Sequence, residues 1–404
     1  MAINRPIAGV DLGGTNMQIG VVSPEGRLLG RSKKKTRADE GSARVIQRII
    51  DGIHEACVEA KVSPRSLAGV GIGAPGALDP STGTVREAPN LRWRDVPLAK
   101  IIKRKLDKDV VVDNDVRAAA FGEYKLGAGR GAHDLLALWI GTGIGGGIIL
   151  HGRLLHGATN TAGEIGHTTL FPGSPPGSRS LEQNCSRTAI VDRLVRLIRT
   201  NHPSIIPELA DGDISDIKAR IVAQAYAKGD KLTRDVVENA AWMLGVGAAN
   251  AVTLLGLQRV VIGGGLTEAM GETLVALIRD SVRKHAFPEV VKRVEVVMTK
   301  LEADAGLLGA AMLARERLAS RAAREAAAPV VVRRGAAKPR ATGRATAPAT
   351  GRATGRAKSA GTSGAAASGA AAGGAGTAGS AGVVGGARGA GANGVSPRGA
   401  GRTS

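Results

Sequence analysis

The chain has 404 residues and carries 55 Lys and Arg against 35 Asp and Glu, a formal net charge of +20; this length suits two or three domains. Two cysteines, Cys57 and Cys185, exclude a disulfide framework and a cysteine-rich zinc module. No apolar run approaches the ~20 residues that span a bilayer and the first residues lack a signal-peptide core, so a soluble, cytoplasmic protein is expected; aromatics at 2% leave few platforms for stacking single-stranded nucleic acid.

In chain order, Ile7–Val10 runs into Gly13-Gly14 and then Gln18–Val22, a pattern of strand, glycine turn and strand. Helical patterns follow at Ser42–Lys61 and Leu98–Leu106, with short strand-like runs at Ala68–Ile72 and Val110–Asp113 and a helix at Val116–Leu126. A second glycine hairpin is expected over Leu136–Leu150, then a long helical region over about Thr188–Leu255, broken near His202–Asp213. Arg259–Gly263 reads as a strand opening a glycine turn into a helix at Glu268–His285; Glu295–Thr299 is a last strand and Ala305–Leu318 a last helix. Alternating strands and helices predict an α/β fold, and two glycine hairpins, each opening its own block, predict two similar domains facing one another. From about Arg321 the sequence turns to Ala, Gly, Ser, Thr and Arg with no Leu, Ile or aromatic residue, so residues 321–404 are expected to be disordered. That stretch holds 13 basic residues and one acid, Glu325, and so carries most of the charge. It reads as a solubilising appendage; weak nonspecific contact with polyanions, or tethering to nucleic acid, is the alternative.

Three glycine clusters suggest phosphate chemistry. In Asp11-Leu12-Gly13-Gly14-Thr15-Asn16, glycines let backbone N–H groups approach a phosphate, and Asp11 could hold hydrated Mg²⁺ beside it. Gly141-Thr142-Gly143-Ile144-Gly145-Gly146-Gly147 contains a G-x-G-x-x-G, but a strand follows it rather than a helix, which leaves a phosphate hairpin rather than a dinucleotide fingerprint. Gly263-Gly264-Gly265 lies between a strand and a helix, where a nucleotide can rest on backbone. Between these clusters, Asp113-Asn114-Asp115 ends a strand just before a helix. Asp115 is expected as the N-cap, and a carboxylate held there also suits a phosphoryl-transfer base. Glu164, His167 and Glu182 add groups of the kind that grip vicinal sugar hydroxyls.

With these residues in place, the chain resembles the ROK family (repressors, open reading frames, kinases), in particular its glucokinase-like members, over about residues 5–318. DLGGTN at 11–16, GIGAPGALD at 71–79, APNLRW at 88–93, DNDVRAAAFGE at 113–123, GTGIGGG at 141–147, GEIGH at 163–167, VIGGGL at 261–266 and DAGLLGAA at 304–311 recur in the family's order. The resemblance implies an actin-like ATPase (RNase H-like) fold with two similar domains around a cleft: residues 1–114 completed by the helix 305–320, and residues 115–304. It implies an ATP- and Mg²⁺-dependent hexose kinase acting on the 6-hydroxyl of glucose, with Asp115 as general base. By the same resemblance Asn90, Asn114, Glu164, His167 and Glu182 hold the sugar. Asp11, Gly13, Gly14 and Thr15 face phosphate and Mg²⁺, Thr142 and Gly143 face them from the other domain, and Gly264 and Gly265 lie near the adenosine. A homodimer is implied as well. Fructose, mannose or N-acetylmannosamine as acceptor, polyphosphate as donor, and a non-catalytic sugar sensor remain open alternatives. Two departures stand out. The family's zinc cysteines are missing from Pro176–Glu182, so no structural zinc is expected, and Arg117 stands where the family usually has Asn, which could lower the Asp115 pKa or point to solvent. The first strand begins within ten residues, which is read as leaving no room for a DNA-binding winged helix.

Overall fold

The computed structural model describes residues 3–327. Its strands and helices, in chain order, build two sheets on one plan. The first block contains β1 (Ile7–Leu12), β2 (Asn16–Val22), β3 (Leu28–Lys35), α1 (Ser42–Glu59), β4 (Val70–Ala74), β5 (Ala77–Asp79), β6 (Thr84–Ala88), β7 (Trp93–Val96), α2 (Leu98–Leu106) and β8 (Val110–Asn114). After α3 (Asp115–Leu126) come β9 (Leu135–Ile140), β10 (Ile144–Leu150), β11 (Arg153–Leu154), α4 (Leu181–Cys185), α5 (Arg187–Arg199), α6 (Ile206–Leu209), α7 (Ala219–Ala227) and α8 (Lys231–Leu255). The chain continues through β12 (Arg259–Gly263), α9 (Gly265–Met270), α10 (Glu272–His285), β13 (Glu295–Met298) and α11 (Ala305–Ala327).

The first sheet has the order β3-β2-β1-β4-β8 and the second β11-β10-β9-β12-β13. In each, three antiparallel strands continue into two parallel ones, and the glycine hairpin joins the same two strands: β1 to β2, and β9 to β10. β1 and β4 are almost wholly buried, the pattern of strands covered on both faces. α1 covers one side of the first sheet with Val45, Ile46, Ile49, Ile50, Ile53, Ala56 and Cys57, a 3–4 spacing that puts all seven on one stripe. In the second lobe α8 begins under Asp230, whose carboxylate accepts from Thr233 N at 2.7 Å, and ends at Gly256 in the left-handed conformation.

α11 returns to the first lobe and lies against β1, β4 and α3. It approaches so closely that a Cβ on Gly71 would fall on the Ala310 carbonyl, and one on Gly309 on the Ala118 carbonyl. Glu123, fully buried near the end of α3, accepts from Ala128 N at 2.6 Å, Leu301 N at 2.8 Å and Lys300 N at 3.1 Å. It thereby fixes the exit of β13 to the central helix pair.

The structure departs from the sequence reading in several places. Glu268–His285 is two helices, because Gly271 at φ 61° breaks the run. β3, the small sheet β5-β6-β7 and the short α4 are additional elements. α11 continues through residues 321–327, seven residues into the expected tail, where an Ala-rich sequence and an Arg321–Glu325 pair at 2.9 Å extend the helix. Residues 328–404 of that tail lie outside the described residues.

Candidate active site

The flanks of the first glycine hairpin at Asp11 and Gln18, the second glycine hairpin and the β8–α3 corner converge on one cleft of about 580 Å³. The chain turns from β8 into α3 at Asn114, not at Asp115. The Asn114 side-chain oxygen accepts from Val116 N at 3.0 Å and Arg117 N at 3.1 Å, so Asn114 is the N-cap and Asp115 the first helical residue. The Asp115 carboxylate is thus released from capping. One oxygen takes Val116 N at 2.8 Å, and the residue borders the cleft. Burial pushes its pKa up; the bond from Val116 opposes this, and the nearby Glu164 adds to it. Arg117 does neither of the things considered from sequence. It is buried, turned away from the cleft, and its Nε donates to Asp113 at 2.8 Å.

Asp11, at the end of β1, faces the same space. Burial and the neighbouring Asp115 push its pKa from 3.8 to about 7. Two neighbouring carboxylates, of which Asp115 raises Asp11, with no cation paired to Asp11 among the described residues, form a hard oxygen site in need of positive charge. Hydrated Mg²⁺ fits such a site when phosphates and waters supply its other ligands. Among the described residues no three His, Cys, Asp or Glu side chains gather as a metal cluster.

Of the expected sugar contacts, Asn90, Asn114, Glu164, His167 and Glu182 all border the cleft. Glu164 and His167 stand 4.0 Å apart, both open to solvent. Glu182 has a structural duty as well: its Oε2 accepts from Ile144 N at 2.7 Å and so holds the second hairpin against α4. Thr142 and Gly143 border the cleft from that hairpin, and Gly264 and Gly265 from the start of α9. Gly264 sits at φ 93° with its Cβ direction blocked by the Ile140 backbone, 2.6 Å away, so no other residue fits there.

The rest of the first hairpin is placed differently. Gly13 closes the turn, its N–H donating to Asn16 O at 3.0 Å, while Thr36 Oγ1 donates to its carbonyl at 2.6 Å. Gly14 and Thr15 border a separate depression with Lys35, Arg37 and Arg92, which meets the cleft at Asn90. Sequence reasoning missed Gln18, Trp139, Glu268, Glu302 and Gly306, which also line the cleft. It missed Arg187 too, whose Nη2 donates to Thr142 Oγ1 at 3.1 Å from the first turn of α5. Gly306 lies within the DAGLLGAA segment at 304–311 but has no role assigned from it; no quoted motif flags the others, and the Ser186 cap before Arg187 is the one local signal there.

The segment over 168–184, which contains the cysteine-free stretch Pro176–Glu182, is held by hydrogen bonds. Ser180 and Gln183 form a capping box, Asn184 donates to Ser178 O at 3.0 Å and Ser180 O at 2.7 Å, and Leu170 N donates to Arg179 O at 2.8 Å.

Paired sheets of matching topology, each opening on a glycine hairpin over a shared cleft, define the actin-like ATPase fold. Within it the chain belongs to the ROK family, whose model matches residues 7–317. It is 36% identical to a glucokinase of Thermotoga maritima over 317 residues, which span 77% of this chain and 98% of that one. A crystal structure of a ROK family glucokinase from Streptomyces griseus in complex with glucose and AMPPNP superposes with a TM-score of 0.67. That chain is 33% identical, and the match covers 77% of this chain and 99% of the other. Regulators share the likeness: a xylose repressor of Caldicellulosiruptor bescii is 29% identical over 75% of this chain and 76% of its own.

Proposed function

We propose that the protein is an ATP-dependent hexose kinase that phosphorylates the 6-hydroxyl of glucose or a closely related sugar. The observation that carries this reading is Asp115: a half-buried carboxylate freed from helix capping, with its pKa raised, in the cleft shared by Asp11 and the second hairpin. A carboxylate made more basic by burial takes a hydroxyl proton more readily than an ordinary one, and such assistance is worth ~10²–10⁴ in rate. In this reading Asn90, Asn114, Glu164, His167 and Glu182 orient the sugar. Asp115 takes the proton of O6 as that oxygen bonds to the γ-phosphorus. The bond to the β–γ bridging oxygen breaks and ADP departs with the electron pair.

Mg²⁺, when bound, neutralises the charge of the transferring phosphates. Asp11 would hold its hydration shell, Gly13, Gly14, Thr15, Thr142 and Gly143 would bound the phosphate path, and Gly264 and Gly265 would support the adenosine. The lobe of residues 1–114 with the helix 305–320 and the lobe of residues 115–304 would close on the bound pair, exclude water and favour the sugar hydroxyl as nucleophile.

Similarity to the glucokinases of Thermotoga maritima and Streptomyces griseus supports glucose and ATP as substrates. The likeness to a repressor supports a second reading, a sugar sensor without turnover. The retained base favours catalysis, since a sensor has no use for it. A coupled ADP-release assay with ATP over glucose, fructose, mannose and N-acetylmannosamine, and a sugar-phosphate assay over the same sugars with polyphosphate as donor, test the proposal. Sugar binding without formation of sugar phosphate from either donor would establish the sensor instead.

A further inference from the structure

One group of buried charges belongs to none of the roles above. Asp113, at the end of β8, is 1% exposed, and both of its oxygens are shared twice. Oδ1 accepts from Asn114 N at 2.8 Å and from Arg117 Nε at 2.8 Å. Oδ2 lies 2.8 Å from His156 Nε2 and takes the Arg317 guanidinium, which also stands 2.8 Å from that imidazole nitrogen. Burial works against the Asp113 charge; His156, Arg117 and Arg317 outweigh it and hold the pKa down at about 2. The carboxylate is therefore ionised at every pH of interest and serves as a fixed hub.

The hub joins four parts of the chain: β8, the first turn of α3, the far half of α11, and the loop that follows β11. That loop is held twice. His156 meets Asp113, and Arg117 donates to the Asn160 carbonyl through its other arm. Ala162 N closes the loop on His156 O at 3.1 Å, and Glu164 follows two residues later. Asp113 and Arg117 flank Asp115 at two residues on either side and face away from the cleft, while the loop they grip delivers Glu164 into it.

We infer that Asp113, Arg117, His156 and Arg317 form a positioning centre for the acceptor half of the cleft, anchoring loop 155–163 to the corner that carries Asp115. Glu164 and Asp115 then keep their mutual geometry while the nucleotide side of the cleft moves. None of the four touches substrate; they act through the backbone they hold. Breaking a buried ion pair on one side leaves the other charge uncompensated, so the gentlest probe removes the imidazole and keeps the three charges. The inference takes the sugar-kinase reading as its setting.

The test compares wild type, His156→Ala and His156→Gln, in full-length protein, by steady-state kinetics and by hydrogen exchange resolved to residues 155–167. In His156→Ala the KM for the hexose should rise about tenfold, the KM for ATP should stay within twofold, and kcat should fall less than the hexose KM rises. His156→Gln keeps a donor at that position and should recover most of the loss. Exchange in residues 157–164 should quicken in the Ala variant alone. An unchanged hexose KM, or equal shifts in both KM values, would overturn the inference and leave the cluster a stabilising contact only. If wild type turns over no hexose, the kinase reading fails separately and the exchange data decide: unchanged protection of 157–164 in His156→Ala refutes the anchor, and local loss supports it. Should His156→Ala fail to fold, Arg117→Lys, which retains the Asp113 pair and withdraws the fork from Asn160, is expected to give the same split between the two KM values, and an unchanged split refutes the anchor.

Discussion

Asp11 gives the clearest physical prediction, because its cost to the fold depends on pH. Its pKa stands near 7 in the native state against 3.8 for the free side chain, first through burial and then through the Asp115 charge. The native state therefore binds a proton more tightly than the unfolded chain. By linkage, the protonated carboxyl's advantage is complete below pH 4 and is lost as pH rises through 7. A rise of that size corresponds to about 4 kcal/mol at full burial. The cleft is open to water on one side, which lowers the effective value to about 2 kcal/mol. Asp11→Asn removes the ionisation and keeps the shape. Urea unfolding of the nucleotide-free protein in chelator should show nearly equal stability of variant and wild type below pH 4. Wild type should then fall progressively behind, until Asp11→Asn is about 2 kcal/mol more stable at pH 8, although inactive. A stability difference that does not change with pH, or a variant less stable than wild type at pH 8, would refute the account of Asp11 as a strained carboxylate awaiting a cation.

Asp115→Asn should leave hexose affinity within a few fold and lower kcat at least ~100-fold; near-normal turnover removes Asp115 from the reaction. Gly306→Ala places a Cβ 2.6 Å from the Asp11 carboxyl carbon, so kcat should drop about tenfold or more with a smaller loss of thermal stability, both measurable on one preparation. Chelator should abolish turnover and Mg²⁺ restore it, while the unfolding midpoint of the nucleotide-free protein does not fall and metal analysis finds no stoichiometric zinc. One zinc per chain would contradict the hydrogen-bonded reading of residues 168–184. Deleting residues 328–404 should leave kcat unaltered, and a large loss would assign that stretch a part in the site.

Much of this site was legible because the residues that build it are constrained locally. Glycines that must turn a strand, as at Gly13, or lie against backbone, as at Gly264, announce themselves by type and spacing. The strand-to-helix corner at Asp113-Asn114-Asp115 was equally plain, yet the cap was assigned one residue late. Asn and Asp cap about equally well, so the choice between Asn114 and Asp115 depends on where the backbone leaves the sheet. Trp139, Glu268, Glu302 and Gly306 reach the cleft only through the packing of sheets and helices far apart in sequence. The fate of Arg117 was illegible for the same reason. Its partner Asp113 sits one helical turn away, but the loop carbonyl of Asn160 that takes its other arm comes from the second lobe. The small sheet β5-β6-β7 escaped notice because strands of three to five residues carry too little alternation to read.

The glycine-to-carbonyl seam between α11 and the strands β1 and β4 has a consequence for biosynthesis. The first sheet has one face that is covered mainly by the helix near the far end of the described chain, at separations that admit no substitute side chain. The amino-terminal lobe must therefore wait, exposed along that face, through the translation of some two hundred intervening residues, whereas the lobe nested between its two segments has all its strands in hand before α11 emerges. The order of maturation is then the reverse of the order of synthesis: the inner lobe settles first, and the outer one closes when the last helix arrives.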